Sequence, residues 1–450
     1  MDERSTTIAR SAPEYEAARQ RAVWNDLKPD RYPDVIVQAR SEADVLQAVR
    51  DARERGLRVK ARSGGHSWTA SGLRDDGVLV DLSQLKDITF DADTGMATVQ
   101  PGVYGGELNQ VLEAEGRFFP SGHCPTVGLG GFLLQGGLGW SSRVYGPACA
   151  SVEAIDVVTA DGRLVHAGAD ENPDILWAAR GAGPGFFGIV TRFYLRTYPS
   201  PSVRRVSIYV YPIDVLDEVL RWTLENAPSV APELELLVVA TNPRTPALTT
   251  DLGEPAEGPT ALQLIGSATA DDEARAHELL QALETCPVLD RALVREVAIP
   301  ATMDMLYANV GAIEPPGYRW AADNMWTDAD PDVLVPAVRE MFLSVPTPVS
   351  HILWYPWTSP PLPDAAMSLT GKLYLAAYAG WSDAADDARG IAWVTENMRR
   401  LEPLAKGISL SDENLARRKA PWGSAEAEAR LEELRAVHDP DGRFHGFLTA

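Results

Sequence analysis

Cysteine is scarce in this sequence. Cys124, Cys149 and Cys286 are all it carries in 450 residues, too few and too irregularly spaced for a disulfide framework. Positive charge is also in short supply. Lys and Arg number 41 against 63 Asp and Glu, for a net charge of -22, and such a surface repels the phosphates of nucleic acid. No apolar run reaches the roughly 18 residues that a membrane span needs. The opening MDERSTTIAR has no apolar signal core, so a cytoplasmic protein is expected. Cys-x-x-Cys, His-Glu-x-x-His and GxxxxGK[ST] patterns are all missing, which removes the common zinc and phosphate-loop signatures and leaves no metal expected.

What is present suits a globular protein: 45% hydrophobic and 23% charged residues. The length exceeds one comfortable core, so two domains are expected. DVIVQA, a helix capped by Ser41 and the strand LRVKA form a strand–helix–strand unit over residues 34–61. ITFDADTGMATVQPG and VEAIDVVTADGRLVHA read as hairpins. After Pro199 and Pro201 the pattern changes. Trp- and Tyr-rich strands such as YRWAADNMW, SHILWYPW and KLYLAAYAGW then alternate with helices, which predicts an antiparallel sheet backed by helices. The fold class is α+β, divided into residues 1–200, 201–405 and a terminal segment 406–450.

Two stretches concentrate the chemistry, RSGGHSW at 62–68 and GHCPTVGLGGFLLQGGLGW at 122–140. Small residues at Ser63, Gly64 and Gly65 let backbone N–H groups approach an anion closely, with Arg62 adding charge. The second stretch packs Gly128, Gly130, Gly131, Gly136, Gly137 and Gly139 into a dozen residues, a freedom that is costly to order unless something binds it. From the residues alone, His66 is a ligand or a turn histidine. Cys124 is reactive, inert, paired with Cys149, or grouped with His66 and His123 around a metal.

RSGGHSW, GHCPTVGLGG, VVTADG, ILWAARGAGPGFFGIVT and the terminal DPDGRF occur in the order found in berberine-bridge-enzyme-like flavoproteins, within the vanillyl-alcohol-oxidase superfamily. The chain resembles that family over roughly 30–200 and again near its end. The resemblance implies a two-subdomain PCMH-type FAD-binding domain, a substrate domain, and a C-terminal segment returning to the first. It implies FAD bound covalently through His66 and Cys124, with hydride transfer to flavin N5. Contacts to FAD are expected from Arg62, Ser63, Gly64, Gly65 and Ser67, from Val127, Gly128, Gly131 and Gly137, and from Val190. Alcohols, amines, sugars and natural-product intermediates are the expected substrates, with oxygen or another acceptor as oxidant. The alternative is a flavin-binding protein of low turnover that holds an aromatic ligand.

The chain departs from the family in two places. A Tyr-x-Asn element is replaced by Ser409 and Ser411, so Asn414 is expected to take the flavin contact and the base to come from the substrate domain. Tyr374, Tyr378, His351 and Asp323 are the candidates. Alternation places Tyr318, Trp320, Asn324 and Trp326 on one face of their strand and Asp323 on the other. Leu129, between the glycines of GLGG, is expected to hinder oxygen, and Phe132 stands where relatives often carry histidine.

Overall fold

Ser41 caps the helix Glu42–Glu54: its side chain accepts from the Asp44 N–H, and the Asp44 carboxylate accepts from the Ser41 N–H at 3.0 Å. Val45, Ala48, Val49 and Ala52 bury one face of that helix. It joins the strands Val35–Gln38 and Val59–Arg62, but these do not pair with each other. Val78–Asp81 lies between them, parallel to both. All its residues are buried, as a central parallel strand requires. Thr6–Ala9 completes this four-stranded sheet. A second, antiparallel sheet of five strands contains the two hairpins and the strand Ile189–Arg196. The computed structural model describes residues 5–241, 260–358 and 360–449.

The glycine-rich stretch after Cys124 is less of a loop than its composition suggests. Leu129–Leu134 forms a short helix, with Leu129, Phe132 and Leu133 buried. Ser142–Tyr145 forms another. Burial of these apolar side chains offsets the entropy of the glycines around them.

Residues beyond 202 build one antiparallel sheet of seven strands. Its order is Val294–Pro300, Val203–Pro212, Ala261–Ala270, Leu234–Thr241, His351–Pro356, Leu373–Trp381 and Arg319–Thr327. Alternation divides its faces. Leu373, Leu375, Ala377 and Ala379 turn toward the helices, in one core with Val394 and Met398 of the helix Asp387–Leu401. Tyr374, Ala376 and Tyr378 turn the other way, toward the N-terminal half, beside Trp320 and Trp326. Two reciprocal contacts join the halves. Arg143 reaches the carbonyls of Ala227 and Val230 at 3.2 and 3.0 Å, and Glu235 accepts from Tyr355, its carboxylate close to Arg143 and to the backbone of Ser141 and Ser142.

The last segment ties both halves together. Lys406 and Gly407 pair with Trp326. Farther on, Phe444 bridges to Val59, and the Val59 N–H donates to Arg443 at 2.7 Å. Within this segment Arg418 is buried, its guanidinium donating to both carboxylate oxygens of Asp323 at 2.9 and 2.5 Å. Asp323 is therefore not a base facing substrate. It pairs in register with Ala377, on the helix side of the sheet, and its charge is spent on Arg418. Removing one partner strands the other charge in the core. Arg418→Met is expected to cost about 3–5 kcal/mol, read as a lowered midpoint in urea unfolding.

Candidate active site

The two glycine-bearing stretches meet backbone to backbone. A Cβ on Gly64 would lie 2.5 Å from the Gly128 nitrogen, and one on Gly128 would lie 2.4 Å from the Gly64 nitrogen. Ser63 Oγ accepts from the Gly131 N–H at 3.1 Å, stitching the contact. These glycines thus serve first to let the two stretches touch. Gly65 has φ +76°, and a Cβ there would strike the Ala22 carbonyl. Arg62 is held by Asp81 at 2.9 Å, while its buried Nε finds no partner among the described residues.

A cavity of about 400 Å³ opens between this cradle and the aromatic face of the seven-stranded sheet. Arg62, Ser63, Gly64, Gly65, His66 and Ser67 line it from the first stretch, and Cys124, Val127, Gly128 and Gly131 from the second. Val190, His351, Tyr374 and Tyr378 complete the set of expected residues that it brings together. Gly137 is elsewhere: at φ +76° it turns the chain against the Phe132 ring, where a Cβ would sit at 2.9 Å. Asn414 is also elsewhere. It is buried and donates to Asp323 at 2.9 Å and Thr395 at 3.0 Å. The tight turn Leu410–Asp412 carries the chain past the cavity before Asn414 is reached. Leu129 is sealed in the hydrophobic core with Leu108 and Leu133, off the cavity wall, so it does not stand in an oxygen path there. Phe132 does line the wall.

His66 and Cys124 converge on one hydroxyl. Thr126 Oγ1 lies 3.0 Å from His66 Nε2 and 3.4 Å from Cys124 Sγ. The imidazole stacks on Trp24, with centroids 4.9 Å apart. Burial lowers its pKa to about 4, so it is neutral near pH 7 and one of its ring nitrogens is available as a nucleophile or acceptor. Burial raises the Cys124 pKa, against the pull of Thr126. The three cysteines are free thiols; Cys149 lies 4.0 Å from the Met367 sulfur and is not bridged to Cys124. Among the described residues no group of three His, Cys, Asp or Glu is placed to hold a metal ion, and no helix is long and apolar enough to cross a membrane.

Asp412 is the residue that sequence reasoning missed. Its carboxylate accepts from the Tyr378 phenol at 2.9 Å, from Tyr374, and from the Trp68 indole N–H at 2.6 Å. Burial raises its pKa, although all three donors favour the charged form. Burial and the nearby carboxylate raise both tyrosines well above their ordinary value. At neutral pH the phenols stay protonated, and both donate to the Asp412 carboxylate. The only hint in the sequence was an acidic pair, Asp412-Glu413, beside the replaced Tyr-x-Asn element.

His123 lines the same cavity, edge-on to Trp140 at 4.5 Å. Burial lowers its pKa from 6.5 to about 4. The unfolded chain then binds more protons between those values, so this contribution to stability is full above pH 6.5 and lost as pH falls to about 4. His123→Phe is expected to remove that share. The stability difference between apo wild type and variant should change by on the order of 1–3 kcal/mol across this window, as measured by urea unfolding.

Comparison with known proteins agrees with this geometry. A family described as "FAD binding domain" matches residues 33–168. FAD-linked oxidoreductase penO of Penicillium crustosum is 34% identical over 440 residues, covering 97% of this chain and 95% of its own. A xylooligosaccharide oxidase of Thermothelomyces thermophilus is 42% identical over 181 residues, 40% of this chain and 36% of its own. The solved structure of BBE-like 1 of Physcomitrella patens superposes with a TM-score of 0.81 at 22% identity, over 100% of this chain and 98% of its own. The orphaned Arg62 Nε, the glycine cradle and the adjoining His66 and Cys124 fit a flavin nucleotide, and the chain belongs to the FAD-linked oxidoreductases, with the fold of the BBE-like protein on which it superposes.

Proposed function

We propose that this oxidoreductase carries FAD on two covalent tethers, His66 and Cys124, and oxidises a small or medium, largely apolar organic molecule with Asp412 as the proton acceptor. The observation that carries the reading is the Asp412 carboxylate on the cavity wall, gripped by Tyr374, Tyr378 and Trp68. When bound, FAD supplies the hydride acceptor. The chain does the rest. Ser63, Gly64 and Gly65 would cradle the nucleotide, and His66 and Cys124 would fix the ring at one edge. A neutral imidazole and a thiol sharing the Thr126 hydroxyl support that attachment. Asp412 takes the proton released from a substrate O–H or N–H. Tyr374, Tyr378 and Trp68 hold its lone pairs in place, so little reorganisation accompanies the transfer. The remaining walls are mostly apolar, with Val206, Ile208, Leu237, Val239, Ile265 and Leu353 contributed by the sheet. Such walls favour an apolar frame over an oligosaccharide, whose hydroxyls would lose water without replacement partners.

Three outcomes test the reading. Acid precipitation of the holoenzyme should give a yellow pellet. Flavin should stay attached in His66→Ala and in Cys124→Ala, and be released only when both are changed; release from wild type refutes the tethers. Anaerobic mixing with aryl alcohols and amines should bleach the flavin absorbance. Asp412→Asn should slow that bleaching by about 10²–10⁴-fold without altering flavin content. The wild-type rate should rise with pH through a midpoint above the usual carboxylate range, because burial raises Asp412. A flat profile, or an unimpaired asparagine variant, would remove Asp412 from this role.

A further inference from the structure

We infer that Glu314 is a specificity-determining carboxylate that selects substrates bearing a protonated amine on an otherwise apolar frame. This rests on the reading above, in which the cavity beside Asp412 receives the substrate.

Glu314 caps the C-terminus of the helix Met303–Ile313, whose Leu306, Val310 and Ile313 form an apolar cavity wall. An acidic side chain at a helix C-terminus carries the unfavourable sign for the helix dipole, and a cation beside it relieves that repulsion. The position is central. Its charge acts on His66, His123 and Cys124 on the cradle side and on Tyr378 and Asp412 on the sheet side.

The balance of charge around the cavity points the same way. Among the described lining residues the only Lys or Arg is Arg62, and Asp81 already pairs with it. Three carboxylates line the cavity: Glu235, Glu314 and Asp412. Glu235 is committed to Tyr355 and lies near Arg143. Asp412 is committed to its three donors. Glu314 is the least committed, its close contact being His351 Nε2 at 3.4 Å. His351 Nδ1 faces the Val349 carbonyl at the same 3.4 Å, so a neutral ring has one proton for two acceptors and gives Glu314 at most one hydrogen bond. A single contact of this length leaves most of the carboxylate's acceptor positions open to the cavity. An ammonium group, with three donors and a charge, fills them.

The test uses the holoenzyme and two matched probes, 4-phenylbutylamine and 4-phenylbutan-1-ol. Binding is followed anaerobically at neutral pH by the shift in flavin absorbance. The amine should bind at least about tenfold more tightly than the alcohol. Glu314→Gln should abolish that preference by weakening the amine alone, and Glu314→Asp, which keeps the charge, should retain it. Equal affinities in wild type, as a charged His351 neutralising Glu314 would produce, overturn the inference. So does a preference that survives in the glutamine variant, and so does the absence of saturable binding by either probe. Equal thermal melting of the variants excludes a folding artefact. The titration needs no turnover. Failure of every substrate class to bleach the flavin would defeat the proposed oxidation, and this binding preference would still be read.

Discussion

The side chain of Asn324 fixes the active site. Its amide oxygen accepts from the Ser409 N–H at 2.7 Å, and its nitrogen donates to the carbonyls of Ser409 and Asp412 at 3.0 and 2.8 Å. One buried amide thus replaces a strand partner for the tight turn Leu410–Asp412, and that turn aims the Asp412 carboxylate at Tyr374, Tyr378 and Trp68. On the opposite face of the same strand, Asp323 holds Arg418 and Asn414. Two adjacent residues therefore grip the returning chain on both sides of one sheet. A buried network of this kind imposes one geometry, because any slip leaves several polar groups without partners.

The polar grip explains how the Asp412 carboxylate is held in place by chain that is largely not helix or strand. Such segments usually carry function at the expense of precision. Here the precision is borrowed from the sheet, whose strands Arg319–Thr327 and Leu373–Trp381 run in continuous register from Arg319↔Trp381 to Thr327↔Leu373. The tyrosines and the turn that carries Asp412 are mounted on neighbouring strands of one rigid element, so their separation does not depend on how the two halves of the chain sit.

How much of this was legible in the sequence depends on the range of the contact. His66 and Cys124 announce themselves locally, through a nucleophilic side chain beside glycines, and both line the cavity. Alternation alone set Tyr374 and Tyr378 on one face and placed Asp323 away from the aromatic residues of its own strand. Its nomination as a base went against that face. What the pattern could not show was Arg418, 95 residues further along. Asp412 was invisible for the same reason. Its donors lie 34, 38 and 344 residues away, and an acid in a polar stretch reads as solvated until those donors surround it. Leu129 failed differently. The glycines around it suggested an open loop, whereas the apolar side chains of Leu129, Phe132 and Leu133 fold the stretch into a buried helix turn.

The meeting of His66 and Cys124 at one threonine hydroxyl has a consequence for the chain itself. The two residues sit on separate stretches, and the protein has no disulfide among the described residues. With both attachments made, the flavin becomes a cross-link that closes the intervening chain into a ring. Ring closure of that size restricts the unfolded ensemble by about 4 kcal/mol in the chain-entropy picture, a staple of the kind secreted proteins obtain from cystine. The cofactor that sets the chemistry would then also stabilise the fold, through a cross-link that thiol reductants do not open.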